Sequence, residues 1–134
     1  MTIVKVVDGH DGIYNEAGYQ LKGSHSPNSE GLSPRELLEA SLGLCVSISL
    51  QKIMNHDGVE YDVNTIHIEV TAAKPEDKSN RFSDFHVRVT LPPSLDETYK
   101  EKLKSVTERA CTIGNTLKAV ATVELVEAQI EAGH

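Results

Sequence analysis

Cys45 and Cys111 are the only two cysteines in a chain of 134 residues, and they are the side chains best able to do chemistry. A free cysteine often acts only as a small, buried hydrophobe. Two thiols can also form a redox pair, in which one thiolate attacks and the other resolves. A structural disulfide is a weaker expectation for an intracellular chain. Metal chemistry finds no local signal. The six histidines are His10, His25, His56, His67, His86 and His134, and none falls in a CxxC, HxxxH or HExxH spacing. The one glycine-rich stretch, Asp8 to Gly12, lacks the patterns that cradle phosphates.

Glu36 has two readings. It fits a capping box with Ser33, which is structural. As a catalytic partner of Cys45 within one helix it fails on geometry. A nine-residue separation puts the two ~13.5 Å apart along the axis and on opposite faces. If Glu36 meets a catalytic Cys45, that cysteine belongs to another chain.

The composition narrows the classes further. Lys plus Arg is 13 and Asp plus Glu is 20, for a net charge of −7. Such an acidic surface repels phosphate backbones, so no nucleic-acid partner is expected. Four Tyr, two Phe and no Trp are too few for a base-stacking platform. No uninterrupted apolar run approaches the roughly 20 residues that span a bilayer, so no membrane partner is expected. Met1 to Val7 does not read as a secretory signal. The expectation is one soluble, cytoplasmic domain over residues 1–134.

The thiols must be positioned by regular elements. Ile3 to Val7, Ile13 to Asn15 and Tyr19 to Lys22 read as a short meander, punctuated by Asp8-Gly9 and Asp11-Gly12. Ser33-Pro34-Arg35-Glu36 reads as a capping box with Pro at N1. The helix it opens runs to about His56, and Gly58 is placed to end it. From Leu37 to Leu50 this helix is apolar or small on every side, which predicts burial all round. A domain of this size would need a sheet on one side of it and a further layer, such as a partner subunit, on the other.

Asn64 to Thr71 and Phe85 to Leu91 alternate as half-buried antiparallel strands, joined by the charged loop Lys74 to Asn80. Ser94 to Glu97 reads as a second capping box. It opens an amphipathic helix to about Ala110, followed by the turn-forming Gly114 and Asn115. Ala119 to Val126 reads as a final strand. The order predicts an α+β fold with antiparallel sheet.

Two segments resemble the OsmC/Ohr superfamily of thiol-dependent peroxidases. Ser33 to Cys45 (SPRELLEASLGLC) is similar to the family's SPxELLxAxLGxC helix. Ala110 to Leu117 (ACTIGNTL) is similar to its second-cysteine segment, usually CPVSNTL, with Thr112 in place of the Pro. The resemblance covers about Ser33 to Val126. It implies an intertwined homodimer in which antiparallel sheets enclose two central helices, with the active sites at the subunit interface. It implies a peroxidatic Cys45, a resolving Cys111 and a role for Glu36 in reducing a small organic hydroperoxide. A dithiol or lipoylated-protein reductant would restore the thiols, with no metal or flavin cofactor.

The most active members place an Arg in the N-terminal strands and a Glu directly after the helix Pro. Here Arg35 follows Pro34, Glu36 comes one later, and no Arg precedes Arg35. A buried thiol without a nearby cation has a raised pKa and reacts slowly. Arg35 and Arg109 are the candidate cations. The alternative is an OsmC-like stress-related or small-molecule-binding protein with weak or no peroxidase activity.

Overall fold

In this computed structural model residues 1–128 are described. The chain begins with a three-stranded antiparallel meander of β1 (Ile3–Val7), β2 (His10–Tyr14) and β3 (Gln20–Lys22). Val7 pairs with His10 across the two-residue turn Asp8-Gly9. Both turn residues take positive φ, 52° and 78°. That is the twist-matched hairpin geometry for which an Asp-Gly pair is suited. All five residues of β1 are exposed. No residue of the hydrophobic core, or packed against it, precedes Leu42.

Helix α1 spans Pro34–His56 and starts as the capping box requires. The Ser33 N–H donates to Glu36 Oε1 at 2.9 Å, and the Glu36 N–H donates back to Ser33 Oγ at 3.4 Å. These bonds satisfy donors that a helix start otherwise leaves orphaned. Asp57 caps the far end, and Gly58 leaves with φ 68°. Leu42, Val46, Leu50 and Met54 form the buried stripe of α1, one residue per turn. The all-round burial expected for this helix is not reached within one chain. Leu44 and Ile48, on the opposite side, remain 63% and 43% exposed. By length and composition alone α1 could also cross a membrane, contrary to the count of uninterrupted apolar runs. Its buried stripe instead forms the centre of the protein core.

The second sheet pairs β4 (His67–Ala73) with β5 (Asp84–Thr90), with Ile68 opposite Val89 and Val70 opposite Val87. These residues pack against the α1 core. The first strand of the pair starts three residues later than its alternation suggests. The Asp62 carboxylate accepts from the Asn64 N–H at 3.0 Å and holds Val63–Thr65 in a 3-10 turn.

Helix α2 spans Glu97–Ala110 and is capped by Asp96, not Ser94. The Asp96 carboxylate accepts the Tyr99 N–H at 2.7 Å. Before it, the Leu95 N–H bonds to the Pro92 carbonyl at 3.2 Å, so Ser94 is held in a turn. The side of α2 facing the core is anchored by Leu103, which is fully buried.

Two expectations fail at the C-terminal end. Gly114 and Asn115 do not stop the chain; they lie inside a short third helix, α3 (Thr112–Lys118). Asn115 Nδ2 donates to the Arg109 carbonyl at 3.0 Å, satisfying an acceptor that the end of α2 leaves free. The strand expected over Ala119–Val126 is not formed among the described residues. The segment has no ladder partner, and its Val120, Val123, Leu125 and Val126 are exposed. Alternation supplies an apolar face, but a strand exists only when paired to a neighbouring edge.

Leu103→Ala removes a fully buried anchor between α2 and α1 and should cost about 2–5 kcal/mol. Ser33→Ala should cost about 1 kcal/mol through the lost cap. Urea unfolding of each variant measures both.

Candidate functional site

Cys45 lies in the middle of α1, one residue before Val46 of the buried stripe. Cys111 is the single extended residue (φ −75°, ψ 106°) that ends α2 and caps α3. Its N–H bonds back to the Thr107 carbonyl at 3.0 Å, and its Sγ accepts the Gly114 N–H at 3.4 Å. One break in helical geometry thus fixes the second thiol at the junction of two helices. α3 then packs against α1. Cys111 is 3% exposed, whereas Cys45 is half-buried.

The fold brings the two thiols together. The Cys111 thiol is close enough to stabilise a thiolate at Cys45. The environments push the pair apart in acidity. The Cys45 thiol is held below its ordinary value, first by the Ile113 backbone N–H and then by the Cys111 thiol. Burial opposes this, and the Thr112 N–H and Ser49 hydroxyl add smaller stabilisation. The Cys111 thiol is pushed up, first by burial and then by its neighbour Cys45. Cys45 is therefore the group that ionises first, and Cys111 stays protonated beside it. Two titratable groups driven apart in this way are the usual mark of divided roles.

Neither Arg35 nor Arg109 is among the groups that lower the Cys45 thiol. Arg109 reaches back along α2 to Ser105 Oγ at 3.4 Å. The largest stabilisation comes from the Ile113 backbone N–H at the start of α3, a helix that the sequence reading missed, and the next from the Cys111 thiol. The Cys-Thr-Ile run carried the signal, because a thiol can cap a helix as other small polar side chains do.

Glu36 is not brought to the thiols within this chain. Its carboxylate accepts the Ser33 N–H and hydroxyl, which hold its pKa below the usual range. His134 lies outside the described residues, and the other five histidines form no metal-binding group. His25 pairs with Asp11 at 3.0 Å and His67 with Glu69 at 3.1 Å. No group of three His, Cys, Asp or Glu that could hold a metal occurs among the described residues.

The family model described as OsmC-like protein matches residues 26–126, and the chain belongs to that family. No protein of curated function matches it significantly. Among solved structures, it is similar to an OsmC-like protein from Mycoplasma pneumoniae, with 16% identity and a TM-score of 0.72, over 90% of this chain and 87% of that one. An organic hydroperoxide resistance protein OsmC from Legionella pneumophila gives 18% identity and a TM-score of 0.63, over 88% and 89% of the two chains. The organic hydroperoxide resistance protein OhrB of Bacillus subtilis gives 20% and 0.56, over 87% and 89%. At these identities the likeness is one of fold. The α+β architecture with antiparallel sheets is that of the family.

The acidity difference has a direct readout. With iodoacetamide, the midpoint of the rate profile for Cys45 should fall below the ~8.5 of a free thiol. That for Cys111 should lie above it. Cys111→Ala removes one donor and should move the Cys45 midpoint upward. Alkylation followed by peptide mapping across pH gives all three.

Proposed function

We propose that this protein reduces small organic hydroperoxides through a Cys45/Cys111 redox pair. The observation that carries this reading is the pairing of an acidified, half-buried Cys45 with a protonated, buried Cys111 beside it. The Cys45 thiolate attacks the distal oxygen of the hydroperoxide. The O–O bond breaks, and the alkoxide leaves as an alcohol once it takes a proton, while Cys45 becomes a sulfenic acid. The Cys111 sulfur then attacks Cys45 Sγ, forming the disulfide and releasing water. A dithiol or lipoylated-protein reductant supplies two electrons and returns both thiols. The names of the Legionella and Bacillus relatives support the substrate class.

The functional unit in this reading is a homodimer of single-domain chains working in the cytoplasm. Exposed Leu44 and Ile48 on α1, the uncovered β1 and the unpaired Ala119–Val126 segment all offer apolar surface to a second copy. In that dimer Glu36 is proposed to approach the partner's thiol site, the one arrangement open to it.

A second reading is favoured by one observation, that no Arg precedes Arg35 and no guanidinium is among the groups that lower the Cys45 thiol. In it the protein is an OsmC-like stress-related or binding module with slow peroxidase turnover.

Cumene hydroperoxide consumption with dihydrolipoamide as reductant distinguishes the two. The first reading expects turnover that Cys45→Ser abolishes, and a sulfenic acid that accumulates in Cys111→Ser. Wild-type thiols that stay reduced, while a known peroxidase oxidises, would leave the second. Leu44→Lys should convert the dimer to monomer in sedimentation; a monomeric wild type contradicts the shared unit.

A further inference from the structure

Helix α2 stops at Ala110, yet the residues that follow contain no helix breaker. Cys111, Thr112 and Ile113 include neither Gly nor Pro. In an unbroken α-helix each N–H bonds the carbonyl four residues back. The Ile113 N–H would then bond the Arg109 carbonyl. Here that carbonyl accepts Asn115 Nδ2 at 3.0 Å, and the Ile113 N–H serves the Cys45 sulfur. The Asn115 N–H bonds the Cys111 carbonyl at 2.9 Å, while the Cys111 N–H still bonds back to the Thr107 carbonyl at 3.0 Å. Asn115 therefore holds the chain on both sides of the break, once through its side chain and once through its backbone.

We infer that Asn115 is a positioning residue for the thiol pair: its side-chain amide occupies the Arg109 carbonyl, which keeps α2 from running through Cys111 and leaves the Ile113 N–H for Cys45. The inference rests on the redox-pair reading above and names a residue on which that pair depends. Asn115 acts through Ile113, and its own amide is spent on Arg109.

The competing arrangement differs chiefly by one torsion. Turning Cys111 ψ from 106° to the helical value of about −42° continues α2 through the break. The Arg109 carbonyl then accepts the Ile113 N–H, and Cys45 loses its leading donor. Asn115 blocks this exchange by filling the acceptor first. Water at this exposed edge also satisfies a carbonyl, but it leaves that carbonyl open to a backbone N–H. Helix formation alone does not account for the residue. Asn is a weak helix former, and Leu or Ala would serve α3 better.

The test is the iodoacetamide rate profile of Cys45 across pH in the reduced full chain, which does not depend on peroxidase activity. Asn115→Leu keeps a similar side-chain size, removes the donor and raises helix tendency. Its Cys45 midpoint should rise by about one pH unit, the effect of losing one hydrogen bond to a charged group. Asn115→Ala should show the same rise. Midpoints at the wild-type value in both variants overturn the inference. A rescue separates positioning from a general loss of structure. Proline at position 112 disfavours helical backbone at Cys111 and suits the first turn of α3, so it breaks α2 without Asn115. Thr112→Pro combined with Asn115→Leu should bring the midpoint part of the way back, the smaller contribution of the Thr112 N–H being lost. A midpoint no lower than that of Asn115→Leu alone also overturns the inference. Wild type that consumes no cumene hydroperoxide, while the Asn115 variants shift as expected, supports this inference and removes the peroxidase reading. Turnover in wild type with unshifted Asn115 variants removes this inference alone.

Discussion

The site depends on the approach of the Ile113 backbone N–H and the Cys111 thiol to Cys45 Sγ, with the Thr112 N–H adding less. A thiol on a mostly apolar helix would ordinarily be less acidic, because burial disfavours the charged form. Here burial is outweighed by the Ile113 N–H, which is fixed by the backbone, together with the Cys111 thiol. Those donors are available because α2 breaks at Cys111 and the chain restarts as α3. The same break positions the Cys111 sulfur. One local departure from helix geometry thus supplies both the second thiol and the groups that acidify the first.

Helix α1 links this chemistry to the rest of the fold. Its Leu42-to-Met54 stripe anchors β4, β5, α2 and α3 on one side, and Cys45 lies beside that stripe. The other side carries Leu44 and Ile48 into solvent. A helix with two apolar faces and one covered face is unfinished in a single chain. The uncovered meander and the unpaired C-terminal segment are unfinished in the same sense. In the proposed dimer the surface that completes the fold would also bring Glu36 toward a thiol site.

Much of this was legible in the residues, and the reasons differ by element. The capping box at Ser33 and the alternation around Ile68 and Val87 are local signals, and local physics determines them. The two cysteine segments were legible because each holds a thiol in a distinctive run. Residues 112–118 were misread because Gly114 and Asn115 are poor helix formers in isolation. Tertiary packing of Ile113 and Leu117 on the core overrides that tendency. The search for a cation near Cys45 failed for a related reason. Backbone N–H groups are present at nearly every residue, so sequence does not show where they converge. The final strand was misread because alternation supplies an apolar face, whereas no neighbouring edge pairs with it among the described residues.

The central claim is that Cys45 and Cys111 of one chain form a redox pair. Its most direct measurement is the intact mass and non-reducing peptide map of the reduced protein after one equivalent of cumene hydroperoxide. The account predicts loss of two hydrogens per chain and a single intrachain Cys45–Cys111 crosslink. Free thiols at both positions, or a disulfide joining two chains, would contradict it.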